Sequence, residues 1–161
     1  MFAFTETSET RIEKILAKYP EDRKLSAILP LLTLAQDQEG YITPEAMTEI
    51  GKRLDVSPAY VESVCTFYTM YYTKPVGKYV VKFCINISCH LNGCDNLLEY
   101  TEKKLGIKEG ETTPDKEFTL LKEECLAACC EAPVMQVNNK YHVNMTPEKV
   151  DQILESCRHK L

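Results

Sequence analysis

Four cysteines stand in two close pairs, Cys84-x4-Cys89 and Cys125-x3-Cys129, with 35 residues between the pairs. A compact metal centre held by four thiolates needs this arrangement: each pair comes from one loop, and the fold must bring the loops together. An iron–sulfur cluster has that requirement, and so does a structural zinc site. Zinc sites favour short C-x2-C knuckles, and this chain has none, so the spacing favours a cluster. The missing C-x-x-C also argues against a thiol–disulfide oxidoreductase. A Rieske-type centre would need two histidines, and only His90 lies near a cysteine. Cys94 can stand in for Cys84 by forming a Cys89-x4-Cys94 pair, and Cys130 can stand in for Cys129. Cys94 precedes Leu97 and Leu98 by three and four residues, which places it on a buried helical face as a small hydrophobe. Cys65 reads as core in the same way, and Cys157 as incidental. Cys130 is open between ligand, packing residue and donor to cluster sulfur. His142 and His159 read as surface residues. No catalytic dyad is visible.

Strands with short connections must present the four thiols, and the chain supplies them in its second half. Tyr79-Val80-Val81-Lys82-Phe83 is β-rich and runs into Cys84; Phe118 to Leu121 leads toward Cys125. Val134 to Val137 and Lys140 to Val143 flank Asn138-Asn139, a pair that tolerates the positive φ of a tight turn. Helices are expected over Leu91 to Leu105 and from Thr146-Pro147 to near Arg158. Asn86, Ser88 and Gly93 suit loops whose backbone approaches cluster sulfur. The order is β, α, β, β, β, α: a small sheet with helices packed on it.

The first half reads as helices alone. Ser8 to Tyr19 repeats apolar residues at helical spacing and closes at Pro20. Leu25 to Gln38 is strongly apolar, with Pro30 either opening or bending the helix and Gly40 ending it. Thr43-Pro44-Glu45 and Ser57-Pro58 are helix starts, a capping hydroxyl followed by proline at the first position. Phe67, Tyr68, Tyr71 and Tyr72 form an aromatic group read chiefly as core, with a subunit contact as the alternative. Lys74-Pro75-Val76-Gly77 is the expected linker, dividing a helical domain (1–76) from a cluster domain (77–161).

Length and charge bound the partners. The 161 residues allow one domain or two small ones. A net charge of −5 argues against nucleic acid or an anionic membrane surface. The apolar stretch at Leu25 to Ala35 is too short to cross a bilayer, and the N-terminus lacks the basic start and apolar run of a signal peptide. A cytoplasmic location is expected, with the thiols reduced or metal-bound rather than paired in disulfides.

These residues resemble a known family. Asp115-Lys116-Glu117-Phe118-Thr119, then Cys125-Leu126-Ala127-Ala128-Cys129-Cys130-Glu131-Ala132-Pro133, is similar to the signature of the 24 kDa subunit of respiratory complex I, the E subunit of bacterial NADH:quinone oxidoreductase. Cys84-x4-Cys89 lies at the expected distance upstream. Gln38-Glu39-Gly40-Tyr41-Ile42 and Thr66-Phe67-Tyr68-x-Met70 resemble the family's N-terminal half. The resemblance implies an α+β chain, an N-terminal helical bundle followed by a thioredoxin-like [2Fe–2S] ferredoxin domain. It maps the four ligands onto Cys84, Cys89, Cys125 and Cys129, one pair for each iron. It implies single-electron exchange with the flavin of a partner subunit that binds NADH and FMN, further iron–sulfur subunits, and placement in the peripheral arm of the complex. This chain alone would then oxidise no NADH. Related modules in NAD-linked hydrogenases and formate dehydrogenases make those the alternative parents, and a zinc-stabilised interaction module is the rival from another class. The family usually has glycine where this chain has Ala127; a left-handed backbone there would cost alanine on the order of 1 kcal/mol.

Overall fold

A computed structural model describes residues 2–159 of the chain. It divides into two compact units, Met1–Pro75 and Val76–Leu161.

The first unit is built on capped helices. α1 (Glu6–Leu16) starts at Thr5, whose side chain accepts the Ser8 N–H. A 3-10 helix (Glu21–Ala27) then runs into α2 (Ile28–Glu39). The sequence pattern predicts α-helix from Leu25, but the α register begins at Ile28. Pro30 lacks an amide hydrogen, so it fits only in a first turn where that hydrogen has no partner anyway, and α2 therefore opens just before it. Gly40, at φ +80°, closes α2 in the left-handed region. α3 (Pro44–Leu54) and α4 (Pro58–Phe67) begin at the expected caps, Thr43 and Ser57 accepting the Ala46 and Tyr60 amides. Leu31, Leu32, Ile42, Ile50 and Val61 fill the core. Arg53 spans α3 and α1 with two 2.7 Å bonds to the Glu9 carboxylate.

The aromatic group divides. α4 ends at Phe67, so the four rings do not share one helical face. Tyr71 is buried and its hydroxyl donates to the Leu29 carbonyl at 2.7 Å, whereas Phe67 is 77% exposed.

The second unit is a four-stranded sheet in the order β2-β1-β3-β4. β1 (Tyr79–Cys84) is central, parallel to β2 (Phe118–Glu123) and antiparallel to β3 (Met135–Val137). β4 (Lys140–His142) completes a hairpin with β3. Its turn uses Asn138 at φ +50°, and the Asn138 carboxamide oxygen accepts the Val80 amide at 2.8 Å. α6 (Cys94–Leu105) and α7 (Pro147–Arg158) supply Leu97, Leu98, Val150 and Leu154 to a core with Phe83, Phe118, Leu120 and Met135. Lys82 also lies buried on β1, paired with Glu123 at 2.9 Å. A single helix over Leu91 to Leu105 is not formed. α5 (Ile87–Leu91) stops, Gly93 turns at φ +84°, and α6 begins at Cys94. Only a residue without Cβ makes that turn at little cost.

Candidate metal centre

Parallel pairing puts the two cysteine loops side by side. In the β1–β2 register Cys84 faces Glu123, so both strands end at one level and both loops leave from the same, C-terminal end of the parallel pair. Cys84 is the last residue of β1, and Cys125 follows β2 by two residues. The loops are then tied to each other. The Ile85 amide donates to the Glu123 carbonyl at 3.0 Å, the Asn86 side chain to the Glu124 carbonyl at 3.1 Å, and the Ser88 hydroxyl to the Cys129 carbonyl at 2.8 Å. Asn86 has a second task, because its carboxamide oxygen accepts the Ile87 amide and caps α5. Residue type alone suggests tolerant loops here; the cross-loop bonds of Asn86 and Ser88 become visible only once the fold sets the two segments against each other.

Cys84 and Cys89 are brought together inside a small apolar cluster with Leu126 and Val134, and Cys94 joins them there. Burial, then the hydrogen bond with the Cys84 thiol, pushes Cys89 up to about 11. Cys94 is pushed up to about 11 by burial and by the neighbouring Asp95 carboxylate. Both side chains are therefore neutral thiols near pH 7, and a metal that binds them must release their protons. Cys125, Cys129 and Cys130 lie exposed on the second loop, where Cys129–Glu131 form a 3-10 turn. No disulfide joins the described cysteines.

Ala127 sits at φ +55° between the last two candidate ligands. The position does use left-handed backbone, and alanine occupies it against its steric preference. That conformation aims the Ala127 amide at Cys125 Sγ, at 3.3 Å. Backbone donors of this kind are what anionic cluster sulfurs call for. The donor set is all thiol, comes as two pairs on two tied loops, has one wall of apolar side chains and one exposed side, and includes a backbone donor to sulfur. A [2Fe–2S] cluster fits it, with Cys84, Cys89, Cys125 and Cys129 as the four candidate ligands.

The chain is similar to proteins of known type over nearly all its length. The family model for thioredoxin-like [2Fe-2S] ferredoxins matches residues 12–158. An E subunit of NADH-quinone oxidoreductase from Rhizobium meliloti (strain 1021), the second of that type, is 43% identical over 152 residues, covering 94% of this chain and 89% of its own. The E subunit of NADH-quinone oxidoreductase from Rickettsia bellii (strain RML369-C) is 41% identical over 159 residues, covering 98% and 95%. Among solved structures, air-oxidised NAD+-reducing [NiFe]-hydrogenase superposes with a TM-score of 0.74 at 18% identity. That match covers 84% of this chain and 23% of the hydrogenase chain, a likeness of fold.

Proposed function

The chain belongs to the thioredoxin-like [2Fe-2S] ferredoxin family, and from that premise we propose that it is the cluster-bearing electron-transfer subunit of an NADH:quinone oxidoreductase. The observation that carries this reading is near-full-length similarity to the E subunits of such complexes, 41–43% identical, in a chain whose two cysteine loops are tied together at the C-terminal end of a parallel strand pair. The bound cluster supplies reversible one-electron chemistry. We assign its ligation to Cys84 and Cys89 on the first loop and Cys125 and Cys129 on the second.

The chain's own residues do three things for that chemistry. Leu126 and Val134 wall one side of the thiol cluster, keeping water from Cys84 and Cys89. The Ala127 amide offers Cys125 Sγ a hydrogen bond, which stabilises negative charge on that sulfur. The bonds from Asn86 and Ser88 hold the ligand loops at fixed separation, so the site changes little in shape when its charge changes. The electron donor in this reading is the flavin of an NADH- and FMN-binding partner subunit, approached from the exposed side at Cys125 and Cys129. Further iron–sulfur subunits and a place in the peripheral arm go with it; no helix among the described residues is long and apolar enough to cross a membrane.

The test is reduction in the presence and absence of that partner. The holoprotein mixed with NADH alone should show no electron paramagnetic resonance signal from a reduced cluster. Adding the purified flavin subunit should produce one. Reduction by NADH without the flavin subunit, or none with it, would refute the assignment.

A further inference from the structure

The turn between α5 and α6 gathers a second set of potential ligands, outside the four cysteines assigned above to the cluster. His90 stands near the end of α5, Cys94 opens α6, and Asp95 follows it, while Gly93 at φ +84° folds the two helix ends together. Donor atoms of all three side chains lie within 4.8 Å of one another. The Asp95 carboxylate faces both neighbours: one oxygen is 2.7 Å from His90 Nδ1 and the other 3.7 Å from Cys94 Sγ.

We propose that His90, Cys94 and Asp95 form a zinc site, separate from the four cluster cysteines. Zinc bonds of about 2.0–2.3 Å to nitrogen, oxygen and sulfur place the donors of a tetrahedral site roughly 3.3–3.8 Å apart. The two short contacts use different Asp95 oxygens, so an ion bound through one of them needs a small rotation of that carboxylate and an opening of the His90–Asp95 pair by well under an ångström. One imidazole, one thiolate and one carboxylate make a mixed set that suits zinc and not calcium or magnesium, which take oxygen. Cys94 is buried at the base of the site, whereas the His90 and Asp95 side chains are 59% and 54% exposed. The fourth position therefore faces solvent and is open to water, and the ion has an entry path. Binding there would clamp the end of α5, one residue after Cys89, to the start of α6.

The test uses the anaerobically purified holoprotein, given one equivalent of zinc chloride, desalted, and analysed for zinc and iron together. One zinc retained per chain with no loss of iron is the expected result. Competition with a chromogenic chelator should then show zinc affinity weakened by about tenfold or more in His90→Ala and in Asp95→Asn. Both replacements fall on exposed side chains, so folding is not at stake. Three results overturn the proposal: no zinc retained, iron released as zinc is gained, or unchanged affinity in His90→Ala. The iron measured before zinc is added reports separately on the cluster.

Discussion

Replacing Ala127 with glycine should make the protein more stable, although the change removes a side-chain atom and touches no core. Ala127 sits at φ +55°, where Cβ crowds the following carbonyl at a cost of about 1–2 kcal/mol. Glycine avoids that cost but loses more conformational freedom on folding, about 0.5–1 kcal/mol. The mid-range difference leaves a net gain of roughly 0.75 kcal/mol. For a chain of this size about 2–4 °C follows per kcal/mol, so the melting midpoint should rise by roughly 1.5–3 °C. Ala128 is the neighbouring control, since its φ of −119° carries no left-handed strain and it packs half-buried against the thiol cluster. Ala128→Gly relieves no such strain, meets the entropy cost and loses packing, and should lower the midpoint. Thermal unfolding of the three holoproteins by far-ultraviolet circular dichroism reads both shifts. If both substitutions move the midpoint downward, the strain assigned to residue 127 is wrong. The Ala127 amide that faces Cys125 Sγ survives the change, so the reduced cluster's paramagnetic signal should keep its shape.

Three further outcomes follow from the packing. Lys82→Met should destabilise the second unit by about 3 kcal/mol, because it takes the ammonium partner from a carboxylate only 14% exposed; denaturant titration should also show much of that loss recovered when Glu123→Gln is added. Asn86→Ala and Ser88→Ala each remove a cross-loop bond, and each should hasten loss of visible cluster absorbance in mild urea, with the double variant fastest. The Arg53 hydrogen bond holds Glu9 below the usual carboxylate value, so its contribution is present above pH ~4.5 and lost as pH falls through the lowered folded value. Glu9 is 41% exposed, so solvent screening limits that contribution to about 0.5 kcal/mol; Glu9→Gln should therefore match the parent in acid and trail it slightly at pH 7.

Local signals carried much of the fold into the sequence. Thr43-Pro44, Ser57-Pro58 and Thr146-Pro147 each start a helix where the hydroxyl caps an amide three residues on. Asn138 takes the positive φ expected of the hairpin turn. Strand order was not legible, because nothing local states that β1 lies between β2 and β3. The same holds for the site. The cysteine spacing announces two loops, but their exit from one end of the sheet follows from a parallel register of residues about 39 apart, Cys84 facing Glu123. The turn that ends α5 hid behind an unbroken helical pattern, since Leu91, Leu97 and Leu98 keep helical spacing across Gly93. Cys94 shows the limit of pattern reading: it is buried as its spacing to Leu97 suggests, yet it also lies beside Cys84 and Cys89, a placement that only the left-handed turn produces.

The most direct measurement is iron and labile sulfide content joined to the reduced paramagnetic spectrum, made on the anaerobically purified chain and on Cys129→Ser and Cys130→Ser. The expected result is two irons and two sulfides per chain, with the spectrum lost or strongly shifted in Cys129→Ser and unchanged in Cys130→Ser. A folded chain without iron would contradict the account at its root, and a spectrum altered only by Cys130→Ser would contradict its ligand assignment.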